Sequence, residues 1–62
     1  MNYEITIKCD VYPDYSQKVG GVYDLRLAVA KVMADWNLYC TRMRKDQTKE
    51  IAEVEILVKK LG

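Results

Sequence analysis

The sequence contains no histidine, so the side chain that most often performs general acid–base catalysis near neutral pH is missing. Cysteine occurs only at Cys9 and Cys40, without a Cys-x-x-Cys spacing, and these two thiols cannot complete a tetrahedral zinc site. The glycine pair Gly20-Gly21 lacks the spacing of a Walker or dinucleotide phosphate loop. We therefore expect a protein that is not an enzyme and has no catalytic residue, metal or cofactor.

Long apolar runs and a charge of one dominant sign are also missing. No run approaches the roughly 20 residues that cross a bilayer, and the first four residues lack the basic head and apolar stretch of a secretory signal. With 10 Lys and Arg against 9 Asp and Glu, no overall field draws the chain to nucleic acid or membrane. We expect a cytoplasmic protein without a membrane partner, in which Cys9 and Cys40 are free thiols.

The length of 62 residues predicts one domain, residues 1–62, with a thin core. A core of this size contributes only about 3–5 kcal/mol, and small natural proteins commonly add a disulfide, a metal or a second copy of themselves. Because the sequence indicates neither of the first two, self-association is the support that remains. A homodimer is therefore as open as a monomer.

Residues 3–11 alternate strictly between an apolar and a polar side, which is typical of a half-buried β-strand. The following segment, residues 12–21, has turn-forming residues at both ends, and Pro13 cannot donate to a strand ladder. We predict that this segment is a loop and that Gly20-Gly21 turns the chain into the next element.

Residues 25–36 change to a helical period, with apolar residues at spacings of three and four. Asp24 is a favourable N-cap, and Asn37 can adopt the left-handed conformation that ends a helix. The pattern predicts an amphipathic helix between these two residues. The predicted core between helix and sheet contains apolar residues from both: Ile5, Ile7, Val29, Val32, Trp36, Val54 and Ile56.

The last third is ambiguous, because residues 51–61 fit both a helix and a strand. One strand alone would leave its backbone groups unpaired, so the sheet needs partners from residues 38–44 and 51–60. We predict a β-hairpin there, with Arg42 opposite Glu53 and Thr41 opposite Val54. The resulting fold is α+β in the order β-α-β-β, with one helix on one face of a three-stranded sheet whose strand order is left open.

Phenylalanine is absent, so every aromatic residue is a Tyr or Trp that combines an apolar ring with a polar group, as interfaces require. Tyr12 and Tyr15 lie in the predicted loop, and the predicted hairpin tip is basic. Aromatic rings and forked Arg donors dominate binding hot spots. We predict a partner-binding surface made of Tyr12, Tyr15, Arg42, Arg44 and Lys45.

A small chain without catalytic groups is expected to act by occupying another macromolecule. The leading hypothesis is an inhibitor that binds and blocks a host macromolecule, with a protein as the favoured partner, as phage and mobile-element inhibitors such as anti-CRISPR proteins do. The first alternative is a small nucleic-acid-binding module that uses the basic tip, although strand alternation places Tyr39 opposite Arg42 and Arg44, away from a stacking position. The second alternative is a self-assembling structural or ligand-sequestering oligomer.

Overall fold

The computed structural model describes residues 2–21, 23–43 and 50–62. Within these residues the elements in chain order are the strands β1 (Tyr3–Cys9) and β2 (Tyr15–Val19), the helix α1 (Leu25–Met43) and the strand β3 (Val54–Lys60). The strands form one antiparallel sheet in the order β2-β1-β3, and α1 packs on one face of it. The α+β class and the packing of one helix on a three-stranded sheet are confirmed.

The order of the elements is β-β-α-β and not β-α-β-β, because residues 15–19, predicted as a loop, form β2. Tyr15 pairs with Ile7 and Val19 pairs with Tyr3, so β1 and β2 make a hairpin. Pro13 therefore lies in the turn of this hairpin and does not end the sheet. The alternation of β2 is hard to recognise in the sequence, since polar Gln17 occupies the central position on its inward side.

The helix α1 continues to Met43, so the strand predicted for residues 38–44 is wrong for the residues that the structure describes. Asn37 lies within the helix, where its carbonyl accepts a hydrogen bond from the Thr41 hydroxyl at 2.9 Å. The apolar period also continues, because Trp36 and Cys40 are one turn apart and both buried. The predicted pairs of Arg42 with Glu53 and of Thr41 with Val54 do not form.

The segment that fitted both a helix and a strand contains β3, which pairs with β1 and not with a neighbouring hairpin strand. Its register places Val58 beside Ile5 and Ile56 beside Ile7. Residues that pair directly in an antiparallel sheet point to the same face. The side chains of Ile56 and Val58 therefore point to the face of the sheet on which α1 packs.

The start of α1 agrees with the predicted N-cap. The Arg26 amide donates to Asp24 Oδ1 at 2.9 Å, and the Leu27 amide donates to the Asp24 carbonyl at 3.0 Å. Two hydrogen bonds hold the pKa of the Asp24 carboxyl below its ordinary value. The larger effect comes from the Arg26 guanidinium and the smaller from the Arg26 amide. Gly21 precedes the cap with a φ of 71°, a left-handed conformation that glycine adopts without strain.

The core lies between α1 and the β1–β2 hairpin. Of the predicted core residues, Ile5, Ile7, Val32 and Trp36 are buried and Val29 is half-buried, but Val54 and Ile56 remain 46% and 40% exposed. These two residues stay exposed because α1 lies over β1 and β2 and does not approach β3 closely. The other buried apolar residues come from β1, β2 and α1: Tyr3, Val19, Ala28 and Cys40.

Candidate interaction surface

Two tyrosine rings meet where the start of β2 lies against the second half of α1. The ring centroids of Tyr15 and Tyr39 are 5.1 Å apart, and the ring planes are inclined by 43°. Aromatic pairs at this separation contribute about 0.5–1.5 kcal/mol beyond the area that they bury. Both rings are half-buried, so each keeps part of its surface in contact with solvent.

A chain of hydrogen bonds connects the Tyr15 hydroxyl to α1 and fixes the orientation of the ring. The Tyr15 hydroxyl donates to Gln17 Oε1 at 3.0 Å, and Gln17 Nε2 donates to Asp35 Oδ2 at 2.9 Å. Lys31 Nζ lies 3.6 Å from the same carboxylate oxygen, one turn earlier on α1. The polar side chain at the centre of β2 therefore connects the strand to the helix and orients the ring.

Leu38 and Arg42 form the open side of the same surface. Leu38 is 58% exposed, although it is a large apolar residue on a helix that has a buried face. Arg42 is exposed and forms no ion pair with any residue in the described part of the chain. Together these residues line a shallow depression of about 360 Å³. We call this surface the ring patch, and it consists of Tyr15, Asp35, Leu38, Tyr39 and Arg42.

The structure brings together two of the five predicted partner-binding residues, Tyr15 and Arg42. Tyr12 lies apart from them in the hairpin turn, where its amide donates to Cys9 Sγ at 3.2 Å and its side chain packs against the core. Arg44 and Lys45 lie outside the described residues.

Tyr39 and Leu38 are absent from the predicted surface because a strand was predicted for residues 38–44. Asp35 is absent because its partner Gln17 belongs to β2, which was predicted as a loop. In a strand, Tyr39 and Arg42 point to opposite faces; in a helix, residues three apart are neighbours on one face. The signal that could have found them is the continuation of the helical spacing from Trp36 to Cys40.

A second depression, of about 430 Å³, lies at the far end of β1 and is lined by Lys8, Cys9, Asp10 and residues 53–55. The Asp10 carboxylate accepts hydrogen bonds from the Ala52 and Glu53 amides at 3.2 to 3.3 Å, so it anchors the entry to β3. These contacts account for Asp10 as a structural residue. We therefore assign the candidate site to the ring patch.

Both cysteines are unbridged, and Cys40 is buried on the inward face of α1. Burial raises the pKa of the Cys40 thiol, and the nearby Cys9 thiol acts in the same direction. A raised pKa lowers the fraction of reactive thiolate at neutral pH. The geometry therefore favours a packing role for Cys40.

Two further properties concern the described residues alone. No group of three or more Cys, Asp and Glu side chains in residues 2–21, 23–43 and 50–62 is arranged to hold a metal ion. Across the same residues, no helix is both long and apolar enough to span a membrane.

Comparison with known proteins adds no further assignment. No protein-family model matches the chain, and neither a curated protein nor a solved structure matches it.

Proposed function

We propose that this protein is a non-catalytic binding protein that acts by covering the surface of a partner protein with its ring patch. The observation that carries the proposal is the Tyr15–Tyr39 ring pair beside exposed Leu38 and beside Arg42, which forms no ion pair with any described residue. Tyr and Arg are enriched among the few residues that supply most of the binding energy in protein interfaces. The ring patch combines both types with an apolar side chain between them.

The arrangement of the rings favours binding because it exists before any partner arrives. The hydrogen bonds from Tyr15 to Gln17 and from Gln17 to Asp35 hold the ring in place, and Tyr39 is fixed to a regular helix. Immobilising a flexible side chain on binding costs about 0.5–1.5 kcal/mol, so a surface that is already ordered avoids part of that cost.

The charges around the ring patch favour a protein over a nucleic acid. The carboxylate of Asp35 lies within the patch, and Lys31 is already engaged with it at 3.6 Å. Arg42 is then the one cation of the patch that no described residue neutralises. A nucleic-acid surface requires several cations that track the phosphate backbone.

A nucleic-acid-binding module is a second candidate, and the structure supplies a specific reason for it. Because residues 39 and 42 share a helix face, a stacking ring and an Arg do lie together, contrary to the strand assignment. Single-stranded nucleic acids bind to this combination of ring and cation.

Blocking follows directly from covering a partner's surface. We place this chain with the inhibitors of host macromolecules, of the kind that phages and mobile elements encode and that includes anti-CRISPR proteins. Its support is the combination of small size, a prearranged binding surface and the lack of histidine in the sequence.

The test is site-specific photo-crosslinking in a lysate of the native host. A benzoylphenylalanine replaces Leu38 in the ring patch, and a matched control replaces Lys18, which pairs with Glu4 on the sheet face away from α1. We expect a discrete protein adduct from position 38, none from position 18, and loss of the adduct when Arg42→Ala is added. Equal adducts from both positions would contradict the proposal. Loss of the adduct after nuclease treatment would favour the second candidate.

A further inference from the structure

The strand β3 carries an apolar stripe that the rest of the described chain leaves uncovered. Its inward residues Val54, Ile56 and Val58 are 46%, 40% and 42% exposed, and α1 makes no close approach to them. No described strand pairs with the outer edge of β3, since the sheet order is β2-β1-β3. An apolar stripe along an unpaired edge is the surface through which sheets join other chains.

The direction of the backbone groups decides what the outer edge can bind. The Leu61 amide donates to the Asn2 carbonyl at 2.8 Å, so residue 61 turns its backbone towards β1. Every second residue of an antiparallel strand does the same, so the backbone groups of Leu57 and Lys59 also point towards β1. The amides and carbonyls of Ile56 and Val58 then point outward in the plane of the sheet. The side chains of the same two residues belong to the apolar stripe on the face of the sheet.

The sequence of β3 complements itself when two copies run antiparallel with Leu57 at the centre. Leu57 is the midpoint of the seven-residue strand, so this register alone pairs all seven residues of both copies. It sets Glu55 opposite Lys59 of the second copy twice, and Ile56 opposite Val58 twice. Opposite charges and paired β-branched residues are both favourable across a ladder. The outward backbone groups of Ile56 and Val58 face each other in the same register.

We propose that two copies of this protein pair through β3 into a closed dimer with one continuous antiparallel sheet. The two-fold axis passes between the two Leu57 residues, so each copy offers the same surface to the other and the assembly stops at two. Both helices then lie on one face, and the two apolar stripes are adjacent between them. The ring patches sit beside β2, at the opposite ends of the sheet, and each stays open to a partner.

The other edge of the sheet is a poorer match for a second copy. The strand β2 has five residues, and self-pairing about its midpoint Gln17 brings Lys18 opposite Ser16 without any pair of opposite charges. The inward side of β2 is already covered by α1, through the contacts of Tyr15 and Gln17. Pairing of β3 with β2 would also leave unpaired edges and would propagate into open chains.

The experiment measures the mass of the full chain by sedimentation equilibrium over a concentration series. We expect twice the 7.2 kDa mass of the monomer at high concentration. Val58→Pro removes an outward amide and leaves the β1–β3 ladder intact, so it should give a folded monomer. Lys18→Pro is the matched control on the β2 edge, because alternation also turns the Lys18 amide outward, and it should remain a dimer. A wild-type protein that stays monomeric at millimolar concentration, or that grows beyond two copies, would overturn the proposal.

Reversing the charge at position 55 or 59 tests the register of the dimer, independently of whether Val58→Pro folds. Glu55→Lys and Lys59→Glu each set like charges opposite one another in the homodimer, so each variant alone should dimerise at least tenfold more weakly. An equimolar mixture restores both opposite-charge pairs and should give a one-to-one heterodimer by native mass spectrometry. Each variant also places a like charge beside its β1 neighbour, Lys8 or Glu4, so circular dichroism must show that both are folded. Homodimers as strong as wild type, or a mixture without heterodimer, would overturn the register.

Discussion

The two sides of the central strand β1 show how differently one pattern can be buried. Towards β2, α1 covers the sheet, and Ile5 and Ile7 are fully buried. Towards β3, the directly paired residues Val58 and Ile56 share the same face and remain 42% and 40% exposed. These paired residues of β1 and β3 are all large, apolar and β-branched, so the position of the helix, and not the residue type, decides which of them are buried.

The comparison also explains where the two proposed surfaces lie. The covered side holds the ordered contacts between β2 and α1 that build the ring patch. The uncovered side is held in the described structure mainly by its ladder to β1 and presents an apolar stripe. Three strands at a spacing of about 4.8 Å form a sheet about 14 Å wide, whereas a helix with its side chains is about 10–12 Å wide. Because α1 lies over β1 and β2, it does not cover β3.

The largest expected effect comes from shortening an isoleucine on the covered side. Ile7→Ala should cost about 2–5 kcal/mol, because it removes fully buried methyl groups and leaves a cavity. That loss is comparable with the whole stability of about 3–5 kcal/mol that a core of this size supplies. Its pair across the ladder, Ile56→Ala, should cost about 1 kcal/mol or less in the monomer.

The measurement is urea denaturation followed by circular dichroism, in dilute solution where monomers prevail. Ile7→Val, which should lose about 0.5–1.5 kcal/mol, is the milder variant if Ile7→Ala does not fold. Equal losses at positions 7 and 56 would show that the helix covers both sides of β1.

A smaller effect concerns the ring pair on the covered side. A double-mutant cycle of Tyr15→Leu and Tyr39→Leu should give a coupling energy of about 0.5–1.5 kcal/mol between the two rings. Thermal melts of the wild type, both single variants and the double variant supply the four values. A coupling energy near zero would mean that the rings are not in contact in solution.

The reactivity of the Cys40 thiol should report the burial of the inward face of α1. Because burial raises its pKa, it should react with iodoacetamide at pH 8 more slowly in the folded protein than in urea. The raised pKa also adds stability that is present below the ordinary value of 9.0 and is lost as the pH rises through the raised value. Mass spectrometry of the denatured, unreduced protein should show two alkyl groups, and none would mean a disulfide.

The smallest expected effect lies at the start of α1. The pKa of Asp24 is lowered, so its contribution to stability is present above the ordinary value of 3.8 and is lost as the pH falls through the lowered value. Asp24→Asn keeps a capping oxygen and removes the charge, whereas Asp24→Ala removes both. Between pH 7 and pH 3 the wild-type Tm should therefore fall further than the Tm of Asp24→Asn. Parallel pH profiles would contradict the role of the charge.

Much of the fold can be predicted from the sequence because β1 and the first part of α1 have regular periods. Strict alternation identifies β1, and spacings of three and four together with Asp24 identify α1. The missed strand β2 is short and has polar Gln17 on its inward side, a residue whose partner, Asp35, lies 18 positions later. Such a contact has no local signal.

The wrong prediction of the end of α1 had a larger consequence than the missed strand β2, because residues 38–42 contribute to the candidate site. Asn37 is a frequent helix terminator, but here packing of Trp36 and Cys40 against the sheet extends the helix past it. The error separated Tyr39 from Arg42 and hid the ring patch. Residue types alone identified Tyr15 and Arg42 as surface candidates, and tertiary packing supplied their neighbours.

Amide hydrogen exchange of β3 by NMR tests the central claim most directly, namely that β1 holds this strand on one side while its outer edge stays open in the monomer. In dilute solution we predict a protected amide at Leu57, which faces β1, and a rapidly exchanging amide at Val58, which faces outward. Raising the concentration should protect Val58 as the dimer forms and leave Leu57 protected. Equal exchange at Leu57 and Val58 in dilute solution, or protection of Val58 that does not depend on concentration, would contradict the account.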